Sequence, residues 1–205
     1  MKHAAQVFGA ALAALAAAQF IPPAPAQAEE AAPERFRLTR TTTKIPERGA
    51  VALLVLETAR DRFSFMPPAG WSARLDGAAR KVTFDAQRGL ALVTVHLSTN
   101  PAVVAWDGDA LPSRDHVASR WPGSTVTEEF AQPAGLGLGR AFVLRATSTR
   151  NDPWITRVVV VPMRHGVLEL ALSAPASEFN RHVHGFGNLV NTMKLEPPSL
   201  AATRP

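Results

Sequence analysis

The sequence predicts an α+β fold, a mostly antiparallel twisted sheet covered by helices, and three observations carry that prediction. Apolar residues alternate along several short runs, and Gly, Pro, Asn or Asp clusters separate the runs as hairpin signals do. The order is strands, a short helix, strands and a long helix, without the regular βαβ alternation of a parallel sheet. Near the C-terminus, Phe179, Val183, Phe186, Leu189, Val190 and Met193 recur at spacings of three and four, the stripe of an amphipathic helix.

The elements follow in order. Phe36 and Leu38 suggest a first strand over Arg35 to Thr42, and Pro46 to Gly49 a turn. The continuous apolar run Val51 to Leu56 fits a buried strand, although periodicity alone does not separate it from a short helix. Arg62 to Met66 alternates and sets Phe63 and Phe65 on one face. Pro67-Pro68-Ala69-Gly70 makes a turn, because proline fixes φ and glycine accepts unusual angles. Trp71, Ala73 and Leu75 share a face of the next strand, Asp76-Gly77 signals a hairpin, and Val82 and Phe84 alternate again. Leu90 to Leu97 is the strongest strand, with Ala91, Val93, Val95 and Leu97 facing the core.

Asn100 to Pro112 reads as a loop. Ser113 is placed to cap a short helix ending near Arg120, with Asp115 favouring its dipole and Pro122-Gly123 ending it. Thr125 to Ala131, Ala141 to Thr147, Trp154 to Met163 and Val167 to Leu172 are strands, and Gly135 to Arg140 bends the chain as a flexible hairpin. Ser173 or Ser177 is expected to cap the last helix, Gly185 and Gly187 to let it approach the sheet, and Leu195 to close the core. No internal repeat is visible.

Composition bounds the function. The chain has 205 residues, of which 46% are apolar, enough for one domain with a real core. It contains no cysteine, which excludes disulfides, thiolate metal sites and cysteine nucleophiles. The formal charge is +5, with a pI near 10.6, yet the basic residues are interspersed with acids rather than clustered. Polyanion readers concentrate them on one face, so nucleic acid is not expected as a partner.

Residues 1–28 read as a secretory signal peptide. Lys2 and His3 precede the Ala-rich apolar stretch Val7 to Ile21, and prolines 22, 23 and 25 break any helix. Ala26-Gln27-Ala28 offers small residues for cleavage before Glu29. The rival reading is an uncleaved anchor, but the stretch is shorter and less apolar than the ~20 residues a span needs. Loss of Lys2 leaves the mature chain near +4, from 21 basic and 17 acidic residues. The expected compartment is periplasmic or secreted, in a bacterium whose Ala, Arg and Pro usage resembles high-GC genomes, without stable membrane insertion after cleavage. The expected organisation is a leader over 1–28, an N-terminal extension with the first strands over 29–61, the α+β domain over 62–196, and a disordered tail over 197–205.

Chemical motifs are sparse. His182 and His184 stand two apart on a helix, so they point about 200° apart, and both read as solvent-facing. Metal pairs on a helix use i and i+4. Gly135 to Arg140 lacks the spacing and strand–turn–helix setting of a dinucleotide loop. Asp107 and Asp109 resemble a calcium loop only in part, since the remaining ligands are missing. Glu128 and Glu129 are adjacent on a strand and face opposite ways. Trp71, Trp106, Trp121 and Trp154 suit a ligand groove less well than core and hairpin corners. No catalytic, cofactor-binding or metal residue is assigned, and no cofactor is expected.

The segment Phe63 to Trp71, FSFMPPAGW, followed at the end of the chain by Asn191 to Pro197, NTMKLEP, resembles the PsbP-like (Mog/PsbP/DcrB) superfamily over about Arg62 to Glu196. The resemblance implies a twisted antiparallel sheet between helices. It also implies an accessory or binding role, often in an exported protein. No functional residue of that family maps onto a position here, and no photosystem role is implied. The expectation is an exported accessory or interaction protein without catalysis, binding an envelope protein or envelope component. Trp106, His96 and Asp107 are its tentative ligand or partner surface. The alternative is a small-ligand carrier or hydrolase with a pocket near Trp106 and His96, and with His96 or Asp85 as its polar group.

Overall fold

Eleven strands and two helices are placed in the computed structural model, which describes residues 36–47, 49–86, 90–98, 114–147, 153–164 and 166–197. The strands are β1 (Arg37–Ile45), β2 (Gly49–Glu57), β3 (Arg62–Phe65), β4 (Trp71–Asp76), β5 (Lys81–Ala86), β6 (Leu92–Ser98), β7 (Ser124–Ala134), β8 (Gly137–Thr147), β9 (Pro153–Met163), β10 (Gly166–Pro175) and β11 (Lys194–Glu196). Helix α1 spans Arg114–Arg120 and helix α2 spans Ala176–Thr192.

The strands form two antiparallel sheets rather than one. The smaller has the order β1-β2-β3-β11 and the larger β4-β5-β6-β10-β9-β8-β7. The turn expected at Pro67-Pro68-Ala69-Gly70 therefore does not join neighbouring strands as the hairpin signals suggested: β3 pairs with β2 and β11, and β4 with β5. The corner joins two sheets instead of closing a hairpin. Its two prolines have no N–H to give a ladder.

Each face of the larger sheet has its own apolar cluster, and the Val158 to Val161 run feeds both, as a strand buried on two sides does. Val159 and Val161 join Val93, Val95, Leu97, Leu168 and Leu170 on one face, beneath Phe179, Phe186, Leu189 and Val190 of α2. The same cluster takes Leu54 and Leu56 of β2 and Phe63 and Phe65 of β3, so the small sheet closes the core alongside α2. Burying each such side chain contributes about 1.5–3 kcal/mol. Val158 and Val160 lie on the other face with Phe142, Leu144 and Val117 of α1. Ala91, Val93, Val95 and Leu97 are all buried as expected, while Leu90 precedes its strand and is exposed.

Several local expectations are corrected. The residue before α2 is Pro175, which gives no side-chain cap; Ser173 lies in β10 with its hydroxyl 2.9 Å from that of Thr156, and Ser177 is inside the helix. Met193, not Leu195, closes the core: Met193 is buried, and Leu195 is exposed on edge strand β11. Close approach is made by the Gly135 and Gly139 positions and not by the helix glycines. The Gly135 N–H bonds the Val190 carbonyl at 3.0 Å, and a Cβ there would stand 2.6 Å from the Asn191 carbonyl oxygen. A Cβ at Gly187 would meet open space. Gly135 is thus packed against the end of α2 and Gly139 against Val160 of β9, while Gly137 has open space around it and Leu138 is exposed. Ser113, the expected cap of α1, lies outside the described residues.

Candidate functional site

A cleft of about 760 Å³ opens where β3 leaves the small sheet. Backbone chemistry shapes it. The Met66 N–H donates to the Thr192 hydroxyl at 3.1 Å, which itself donates to the Asn188 carbonyl at 2.7 Å, so the corner is tied to the last turn of α2. Gly70 takes a left-handed φ of 76°, and the Trp71 N–H closes the turn on the Pro68 carbonyl at 3.3 Å. Leu38, Ala52 and Leu54 from the β1–β2 ribbon form one wall, and Trp71, Ser72 and Ala73 the other. His184, Gly185 and Asn188 of α2 complete the lining.

The polar groups of the cleft are few and mostly neutral. Among the described residues, Arg40 is the charged side chain of the lining, and no carboxylate lines it. The Trp71 ring stands edge-to-face on His182, with centroids 5.2 Å apart. His182 is accordingly not solvent-facing: its side chain is 12% exposed, and its Nε2 lies 3.8 Å from Glu178, one turn back. His184 and Asn188, also one turn apart, line both this cleft and a smaller one of about 330 Å³. The smaller cavity reaches Arg157, whose guanidinium donates to the Gln132 side-chain oxygen and lies 5.0 Å from the centre of the Phe130 ring. Burial lowers the Arg157 pKa, and Glu128 opposes that shift.

His96 belongs to a separate polar cluster. Lys81, His96 and Glu169 are register partners across β5, β6 and β10. Arg120, in the last turn of α1, reaches over them. Its Nη1 donates to Glu169 Oε2 at 2.5 Å, and its Nη2 lies 3.3 Å from His96 Nδ1. Glu169 is only 7% exposed, and burial raises its pKa against the opposing pull of Arg120, His116 and Lys81. His96 is lowered, first by burial and then by Arg120, Lys81 and Arg80. A neutral His96 accepts the Arg120 hydrogen bond at Nδ1 and carries its proton on Nε2.

Of the three tentative surface residues, His96 is therefore placed, while Trp106 and Asp107 lie outside the described residues. Asp85 does not join His96; it is paired with Arg74 at 2.9 Å. Glu129 pairs with Arg140 at 3.1 Å. Among the described residues, no three His, Asp or Glu side chains gather as metal ligands. No described helix is long and apolar enough to cross a membrane. Sequence reasoning preferred a core or hairpin-corner role for Trp71 over a groove role, and it missed Arg40, Ser72, His184 and Asn188. Their only signal was the Pro-Pro-Ala-Gly corner, read as an ordinary turn.

No family model matches this sequence, and no curated protein is similar to it by sequence. Solved structures do resemble it. Cyanobacterial PsbP (CyanoP) of Synechocystis sp. PCC 6803 superposes with a TM-score of 0.50 at 14% identity, over 78% of this chain and 92% of that one. LpqN, involved in cell envelope biogenesis of Mycobacterium tuberculosis, gives 0.46 at 12% identity, over 78% of this chain and 92% of that one. PA94 of Pseudomonas aeruginosa, a protein of unknown function, gives 0.42 at 14% identity, over 77% and 98%. At such identities the likeness is one of fold, and the fold is PsbP-like, as the FSFMPPAGW and NTMKLEP segments implied.

Proposed function

We propose that this protein is an exported accessory protein without catalytic activity, which binds a partner protein or an envelope component through the cleft between the two sheets. The cleft itself is the observation that carries the reading. It is held open by hydrogen bonds from the corner to α2, its floor is apolar, and its few polar groups stand at the rim. Preformed concave sites of this kind bind by shape and a few placed polar contacts. The most polar buried cluster, by contrast, is spent on internal pairing, because Arg120 occupies both Glu169 and His96. Export rests on the leader alone, with its basic start, Ala-rich stretch and Ala26-Gln27-Ala28.

Site-specific photo-crosslinking in the native host tests this. A benzophenone side chain at Ser72, on the cleft wall, is compared with one at the exposed Arg145 of β8. A reproducible envelope adduct from Ser72 and none from Arg145 is expected. Adducts from both sites alike, or from Arg145 alone, would overturn the cleft as the binding face.

A further inference from the structure

We propose that the cleft takes an extended, acidic polypeptide segment, which adds as a strand along the free edge of β4. This rests on the cleft being the binding face. Its first support is how β4 meets the cleft. A strand that offers a face contributes alternate residues, because side chains point to opposite sides. Here Trp71, Ser72 and Ala73 all line the cleft, so the strand presents its edge. β4 is outermost in the larger sheet, and its outward peptide groups find no strand among the described residues. Unpaired edges of this kind template a further strand.

The opposite wall repeats the arrangement. Val51 and Ala52 of β2 are consecutive lining residues, and there, among the described residues, β2 pairs with β1 only, since β3 first meets it at Leu54. Two backbone edges therefore flank one cleft. A detergent-like anion would use the apolar floor and the charge but leave both edges unused, whereas a polypeptide uses all three.

Charge selects the kind of segment. Among the described residues, Arg40 has no ion pair or hydrogen bond, and no carboxylate lines the cleft. Lys44 lies on the same face of β1 as Arg40 and adds a second positive charge, and β1 carries no acid over its nine residues; Arg37 lies on the opposite face, with Glu57 as its register partner. Arg74 on β4 is already neutralised by Asp85. The complementary strand carries glutamate or aspartate on one side and small apolar residues on the other.

The probe is a fluorescein-labelled peptide of three Val-Glu repeats, titrated into the purified protein beside a Val-Lys counterpart and a copy N-methylated at alternate residues. The Val-Glu peptide is expected to bind at least about tenfold more tightly than either, because the others lose charge complementarity or strand hydrogen bonds. Arg40→Glu is expected to reverse the charge preference. Gly185→Leu, which fills the floor beside Pro68, is expected to abolish binding, with Gly185→Ala as its folding control. Amide exchange in β4 should slow when the peptide is bound.

The results that overturn the proposal are distinct. Equal binding of the Val-Glu and Val-Lys peptides, both lost with Gly185→Leu, would remove the acidic partner and leave the cleft as the binding face. Binding of dodecanoate at the cleft residues, with neither peptide bound, would replace the polypeptide by an amphiphile. Peptide binding indifferent to both Arg40→Glu and Gly185→Leu would sink the cleft reading itself.

Discussion

Replacing Arg120 with methionine isolates the energetics of the buried cluster. Glu169 is nearly buried, and Arg120 supplies its closest charge at 2.5 Å. Removing one partner of a buried pair costs about 3–5 kcal/mol. The lower end applies here, because the Arg120 side chain is 37% exposed and Lys81 and His116 also favour the Glu169 carboxylate. About 3 kcal/mol corresponds to a fall in Tm of about 6–12 °C for a domain of this size. The cost should depend on pH, and the sign follows from linkage. Glu169 has a raised pKa, so it favours the folded state below its unfolded value and loses that contribution as pH rises through the folded value. Without Arg120 the raise grows, and the variant suffers most at high pH. His96 is lowered, so its contribution is present above 6.5 and is lost as pH falls towards its folded value. Without Arg120 that lowering is smaller, which again favours the variant in acid. The deficit of Arg120→Met should therefore be largest at pH 7.5 and shrink towards pH 5. Urea melts at both pH values measure it, and the double variant Arg120→Met, Glu169→Met should return to within about 1 kcal/mol of the parent. A deficit below about 1 kcal/mol at pH 7.5, one independent of pH, or a double variant no better than the single would refute the reasoning.

Three further outcomes follow from packing and processing. Gly135→Ala should destabilise by about 1–3 kcal/mol, because its Cβ meets backbone carbonyls at the end of α2, whereas Gly187→Ala should stabilise by up to about 1 kcal/mol; paired thermal melts read the contrast. Phe65→Ala should cost about 3–5 kcal/mol by urea melt, since Phe65 is fully buried and stands edge-to-face on Phe84 at 6.1 Å. Intact mass of protein recovered from the periplasm or medium should begin at Glu29; a product retaining residues 1–28 would show that the leader is not cleaved.

Most strands were legible because their chemistry is local. Alternation from Ala91 to Leu97 and the double-sided Val158 to Val161 run both mark their strands without tertiary information. The stripe of α2 was legible for the same reason. What could not be read was partnership. Nothing local says that β3 joins β2 and β11 while β4 joins β5, because pairing is set by which apolar faces meet in three dimensions. The candidate site suffered most from this. Arg40, Ser72 and His184 lie on three elements far apart in sequence, and only the sheet switch brings them to one cleft. His96 was singled out as a surface residue and as the polar group of a candidate pocket, but its partner Arg120 lies on another element, so its internal pairing was invisible.

The Pro67 to Gly70 corner connects the fold to the proposed role. A hairpin there would have paired β3 with β4, merged the two sheets, and consumed the edge of β4 in the process. Two consecutive prolines supply no N–H for such a ladder, and the left-handed Gly70 turns the chain onto the other sheet. β2 consequently outlasts β3, so that, among the described residues, 49–53 are paired on one side only and β4 begins with an open edge. Replacing the corner with a two-residue Asn-Gly turn should therefore favour β3–β4 pairing and remove peptide binding together with the cleft. Amide exchange would show new protection along β4 in the absence of peptide. Retained binding after such protection would mean that the edge of β4 is not where the partner docks.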